Sequence, residues 1–141
     1  RIRSWQLLKR LATRYDVWLG CLADEPWSDE TESTLRGLCA EIKIAPLSLL
    51  RWKNALQSLL TNDPITLGAF RSAPLEQWIE RSCRDVAFDA CVVFCSNMAG
   101  YTRLPALQDV PLVVDLVDVD SEKWSDYASR SRMPKALIYR R

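Results

Sequence analysis

Two apolar runs limit what this chain can fold into: Phe88 to Cys95 (FDACVVFC) and Leu112 to Val119 (LVVDLVDV). Each is short and rich in β-branched residues. Neither shows the strict polar and apolar alternation of a strand with one wet face, so both read as strands buried on both faces of a parallel sheet. Two shorter segments, Asp16 to Leu22 and Ile42 to Pro46, also read as strands.

Helical periods fill the intervals. Ile2 to Arg14 is amphipathic, with Trp5, Leu7, Leu8, Leu11 and Ala12 on one broad face and Arg3, Arg10 and Arg14 together on another. Ser28 followed by Asp29, Glu30 and Glu32 opens a second helix that ends near Glu41. Leu47 to Leu60 forms a third, and Ala73 to Asp85 a fourth with Leu75, Trp78, Ile79 and Cys83 inward. Pro64 to Phe70 reads as a structured loop. Further helical segments are expected from Trp124 to Ser131 and from Met133 onward, where Pro134 suits a first helical position. Alternation of strands and helices predicts an α/β fold with a doubly wound, mainly parallel sheet and helices on both faces. With 141 residues, 48% of them hydrophobic, the chain should form a single domain spanning 1–141.

Composition narrows the chemistry. The chain has no histidine, which excludes Ser-His-Asp and Cys-His nucleophile systems, imidazole general bases and His-ligated zinc within it. Of five scattered cysteines, never spaced Cys-x-x-Cys, three fall in apolar runs and read as small core residues of a reducing, cytoplasmic protein rather than as a disulfide framework. A formal net charge of +1 provides no overall field for nucleic acid. None of the four glycines lies close to another, so neither G-x-G-x-x-G nor a P-loop is present. A chain that begins at Arg1, already inside a helical pattern, is expected to be a piece of a longer protein.

Function is expected at the strand ends, since in open α/β sheets the ligand crevice lies outside the carboxyl ends of the strands. Asp115, Asp118 and Asp120 crowd the end of the second apolar run, followed by Ser121, Glu122, Lys123 and Trp124. Either Asp120 or Ser121 can instead cap the next helix. Strand alternation sets Asp118 and Asp120 on one face and Asp115 on the other, so a divalent cation would need the strand to end by Asp118. Ser96 and Asn97 end the first run, where they either line the crevice or cap a short helix. The arginine stripe of the first helix can be a solvated face or a contact with anionic lipid or phosphate.

Several segments, in order along nearly the whole chain, resemble one known group. They are RIRSW (Arg1 to Trp5) followed by LLKRLA, then DVWLGCLADEP, PITLGAFRS (Pro64 to Ser72), FCSNMAGY within Phe88 to Tyr101, VDVDSEKW within Val113 to Trp124, and IYRR (Ile138 to Arg141). Together they resemble the amino-terminal domain of glycosyltransferase family 4, and within it the sugar transferases of exosortase and exopolysaccharide systems. VDVDSEKW is the most specific piece. At Gly68 and Ala69 the sequence departs from the pattern, where relatives tend to carry a proline and an aromatic residue.

That resemblance implies a GT-B enzyme of two Rossmann-like domains facing across a cleft, with this chain as its incomplete acceptor-side half. The first strand and the carboxy-terminal donor domain would then lie outside the sequence. It implies retaining transfer of a sugar from a nucleotide sugar to a glycan or lipid-linked acceptor, with no metal and no cofactor in this domain. Asp118 and Asp120 become the catalytic candidates, and Arg3, Ser4, Ser96, Asn97, Ser121, Lys123 and Arg71 the acceptor or cleft contacts. Expected partners are the acceptor, the nucleotide sugar, the inner membrane touched peripherally by the first helix, and a second copy through uncovered apolar surface. The alternative from another class is a receiver-like, non-enzymatic module whose acidic strand end binds Mg²⁺.

Overall fold

A computed structural model describes residues 2–47 and 70–116, and these fall into two units. The fold is mixed α/β with small parallel sheets. The first unit holds residues 2–47 and 72–87, the second 70–71 and 88–116. The expected helix from Leu47 to Leu60, the loop up to Phe70 and everything from Val117 onward lie outside the described residues, apart from Leu47 and Phe70.

In the first unit, α1 (Ile2–Ala12) precedes β1 (Trp18–Ala23), α2 (Asp29–Leu38), β2 (Glu41–Pro46) and α3 (Ala73–Asp85). Helix α2 starts where the sequence expects: the Ser28 side chain accepts the Thr31 amide, and three acids occupy the first turn. A pair one turn apart on its surface, Arg36 and Glu32, closes at 2.7 Å. This helix is the crossover that a parallel pair requires, and β1 and β2 run parallel from Trp18 opposite Glu41 to Ala23 opposite Pro46.

Helix α3 sits on one face of this pair. A Cβ built on Gly20 would fall 2.9 Å from Leu75 Cδ1 and 2.9 Å from Trp78 Cζ3, so the absence of a side chain at Gly20 lets the helix close on the strand. The Trp78 indole N–H donates to Glu41 Oε1 at 2.5 Å, and Arg81 reaches the same oxygen at 3.2 Å. Cys39, at the end of α2, is buried, and the neighbouring Cys21 thiol is pushed up by its own burial and then by Cys39. Ile42 and Ala45, on opposite faces of β2, are both buried. The sheet in this unit is therefore covered on two sides.

The buried stripe of α3 is Leu75, Trp78 and Ser82, with Ile79 and Cys83 half-buried at its margin. Ser82 is 5% exposed and its hydroxyl has no hydrogen-bond partner among the described residues. A buried, unsatisfied hydroxyl costs more than the methyl that could replace it. Ser82→Ala is thus expected to stabilise the fold by about 1 kcal/mol, seen as a rise in the urea midpoint at constant slope; a fall would mean that the hydroxyl has a partner.

The second unit contains β3 (Cys91–Phe94) and β4 (Leu112–Asp115), parallel from Cys91 opposite Leu112 to Phe94 opposite Asp115. Their crossover is made of 3-10 turns, Ser96–Arg103 and Pro105–Leu107. Val93, Tyr101 and Leu107 are buried there. Both strands are shorter than their apolar runs. Burial on both faces, expected for β4, is not what the structure gives: Val113 is 57% exposed, and Leu112 and Val114 on the other face are exposed as well. Among the described residues β3 is the one strand beside β4 and a 3-10 crossover packs against the pair, too little to cover both faces of a strand. Among the described residues no helix is long and apolar enough to cross a membrane.

Candidate functional site

Parallel pairing brings the carboxyl ends of β3 and β4 side by side, and of the sequence-predicted residues Ser96 and Asn97 follow directly on this end. The last rung is the Cys95 amide donating to the Asp115 carbonyl at 2.8 Å. Immediately beyond it, Cys95 takes φ 78 and ψ 149, a region populated almost entirely by glycine. This turn ends β3 and sends the chain into the 3-10 crossover, with the Met98 amide returning to the Cys95 carbonyl at 3.2 Å. Ser96 and Asn97 are its first two residues and are half-buried. They are inside the helical turn, and the cap position before them belongs to Cys95, which makes no side-chain cap bond.

A non-glycine residue in that backbone region costs on the order of 1–3 kcal/mol. Cys95→Gly is therefore expected to raise stability by about 1 kcal/mol in chemical denaturation, whereas Cys95→Ala, which keeps the Cβ, should show no such gain. Equal behaviour of the two variants would remove backbone strain as the explanation.

Arg71 comes to the same crossover by an indirect route. Tyr101, 6% exposed within the 3-10 turns, donates its hydroxyl proton to the Phe70 carbonyl at 2.9 Å. This fixes the backbone just before Arg71, whose side chain is exposed. Asp115, the first aspartate of the acidic trio, is the last residue of β4 and half-buried. Asp118, Asp120, Ser121 and Lys123 lie outside the described residues, three to eight positions further along the same chain direction. Arg3 and Ser4 belong to the first unit, both on α1, with Arg3 exposed and Ser4 half-buried.

Sequence reasoning did not single out Cys95 or Tyr101. Cysteine is not a residue that signals positive φ, so nothing in the composition marks the turn. Tyr101 was visible within FCSNMAGY, but its partner is a backbone carbonyl more than two dozen residues earlier, which no local pattern encodes.

The other chemistry-bearing groups have structural employment. None of the five cysteines is joined in a disulfide. Burial pushes Cys21, Cys39 and Cys83 up from the ordinary thiol range, which holds them in the unreactive protonated form. Glu32 is held low by the Trp27 indole N–H and by Arg36, and with Asp29, Ser33 and Arg36 it lines a shallow depression on the surface of α2 alone. Among the described residues no three acids or cysteines gather where a metal ion could sit.

What the β3 and β4 ends can do follows from their residue types. A half-buried serine and asparagine after β3 and the half-buried Asp115 at the end of β4 offer hydrogen-bond donors and acceptors suited to a polyhydroxylated ligand, and a carboxylate there can accept a hydroxyl proton. Set against known proteins, the chain matches no protein-family model, no curated protein and no solved structure.

Proposed function

We propose that this chain is the acceptor-side half of a retaining GT-B glycosyltransferase, resembling family 4, that transfers a sugar from a nucleotide sugar to a glycan or lipid-linked acceptor in surface-polysaccharide synthesis. The observation that carries the reading is the parallel β3 and β4 pair, whose adjacent carboxyl ends lead into FCSNMAGY on one side and VDVDSEKW on the other. These are the two most specific segments of the resemblance, and they are what an acceptor crevice at strand ends requires.

In this reading the sheet is the central part of a doubly wound acceptor domain. Asp118 orients the acceptor hydroxyl or takes its proton, Lys123 steadies phosphate or Asp120, and Ser96 and Asn97 bind ring hydroxyls. The glycosidic bond forms to the acceptor oxygen while the bond from the sugar to the nucleoside diphosphate breaks, so the leaving group departs as the diphosphate. The donor is held by the second domain of the enzyme. Sugar transfer by the full-length protein tests the reading: it is expected with wild type and lost on Asp118→Asn, and a full-length protein that transfers no sugar from any nucleotide sugar contradicts it.

A further inference from the structure

Trp27 is a large apolar side chain that the first unit leaves in water, 38% exposed in the loop from Asp24 to Ser28 between β1 and α2. The loop leaves the carboxyl end of a parallel pair that stays closed to its last rung, since the Leu47 amide donates to the Ala23 carbonyl at 2.7 Å. Such ends are where α/β sheets take ligands. The ring is also held in one orientation. Its indole N–H donates to Glu32 Oε2 at 2.9 Å, and Arg36 binds the other oxygen of that carboxylate at 2.7 Å. The Trp27 bond first, and Arg36 second, hold the Glu32 carboxyl below its usual range, so the acceptor stays ionised. An apolar residue just before a helix cap ordinarily packs on the residue five positions later. Here Ser28 is the cap and that later residue is Glu32, so the polar edge of the ring is engaged and the surface left in water is carbon.

A fixed aromatic ring with open carbon surface is a preorganised stacking partner, and its neighbours select the ligand. Asp24, Glu25, Asp29 and Glu30 flank it in sequence, and all are exposed. Their charge repels phosphate, which disfavours a nucleotide. Quaternary ammonium groups are taken by cages of several aromatic rings, and Trp27 is the one aromatic residue of this loop. A neutral sugar matches both parts. The C–H groups on one face of a pyranose are weakly positive and stack on the negative face of an aromatic ring, while the hydroxyls donate to carboxylates. Asp24 and Glu25 can receive them, since among the described residues no hydrogen bond or ion pair engages either side chain.

We propose that Trp27 is a stacking platform for a neutral sugar ring, with Asp24 and Glu25 accepting from its hydroxyls. The site belongs to the first unit and stands whether or not the strand ends of the second serve sugar transfer. It is tested by nuclear magnetic resonance on the 141-residue chain with cellohexaose and with maltohexaose, read at the indole N–H resonance that disappears in Trp27→Tyr. At least one of the two should shift this resonance with a dissociation constant on the order of a millimolar, unchanged by salt because the ligand carries no charge. Followed at the backbone amides of the loop, Trp27→Ala should weaken binding roughly tenfold, while Trp27→Tyr, which keeps a stacking ring, should retain most of it. Circular dichroism checks that each variant is folded; if Trp27→Ala is not, the wild-type shift and the Trp27→Tyr affinity decide. No shift with either oligosaccharide at about ten times that concentration, equal binding by folded Trp27→Ala, or a shift produced only by uridine diphosphate or by an arginine-rich peptide overturns the proposal.

Discussion

Leu75→Ala is expected to destabilise the first unit by about 2–5 kcal/mol. Leu75 is 1% exposed and is the largest side chain fully enclosed among the described residues. Its position explains the size of the effect. It fills the space above Gly20, where the strand has no side chain of its own, so truncation leaves a gap between α3 and β1 that neither element can fill. The other ties of α3, the Trp78 indole on Glu41 and Arg81 on the same carboxylate, hold the helix in register and prevent it from sinking to close the gap. The transfer term and the cavity term therefore add. The change should appear as a lowered midpoint in urea without a change of slope. A loss below about 1 kcal/mol would mean that α3 does not pack on β1 as described.

Much of this arrangement is readable from the chain. The bounds of α3, Ala73 to Asp85, follow from Pro74 in the first turn and the apolar period, and Ser28 with its three following acids marks the start of α2. Strand positions and their parallel sense follow from the helices between them. The inward face of α3 is shifted in a way the period does not reveal. Ser82, one turn beyond Trp78, occupies a buried place that hydrophobicity would assign to Ile79 or Cys83. The exposure of β4 is a second such case: a β-branched run records what a strand prefers to touch, while cover depends on which elements stand beside it.

At the candidate site the end of β3 was legible, since the polar pair Ser96 and Asn97 follows its apolar run, whereas β4 ends at Asp115, inside the run Leu112 to Val119 that reads as one strand. That Phe94 and Asp115 are partners across the pair is a matter of register, which single-strand patterns leave open. The strained turn at Cys95 and the reach of Tyr101 to the Phe70 carbonyl depend on backbone geometry and on a distant segment, and have no local signature.

Asp118→Asn bears on the function in the same direct way. The substitution keeps the size and polarity of the side chain while removing its ability to accept a proton, and a positioned general base is worth roughly 10²–10⁴-fold in rate. Asp120→Asn should have a much smaller effect if Asp120 caps the following helix, because asparagine caps as well as aspartate. The pair of variants thus separates chemistry from capping at two carboxylates two residues apart. Both should unfold at the same denaturant concentration as wild type, so that lost transfer is not lost folding.

Sugar transfer from a nucleotide sugar to a glycan or lipid-linked acceptor, measured side by side for the full-length wild type and Asp118→Asn, tests the central claim most directly. Transfer by the wild type, with a fall of roughly 10²–10⁴-fold in the folded variant, is the result the acceptor-side reading requires. Wild-type rates in Asp118→Asn would remove Asp118 from the chemistry, and a full-length protein that instead binds Mg²⁺ through these aspartates and transfers no sugar would contradict the glycosyltransferase reading altogether.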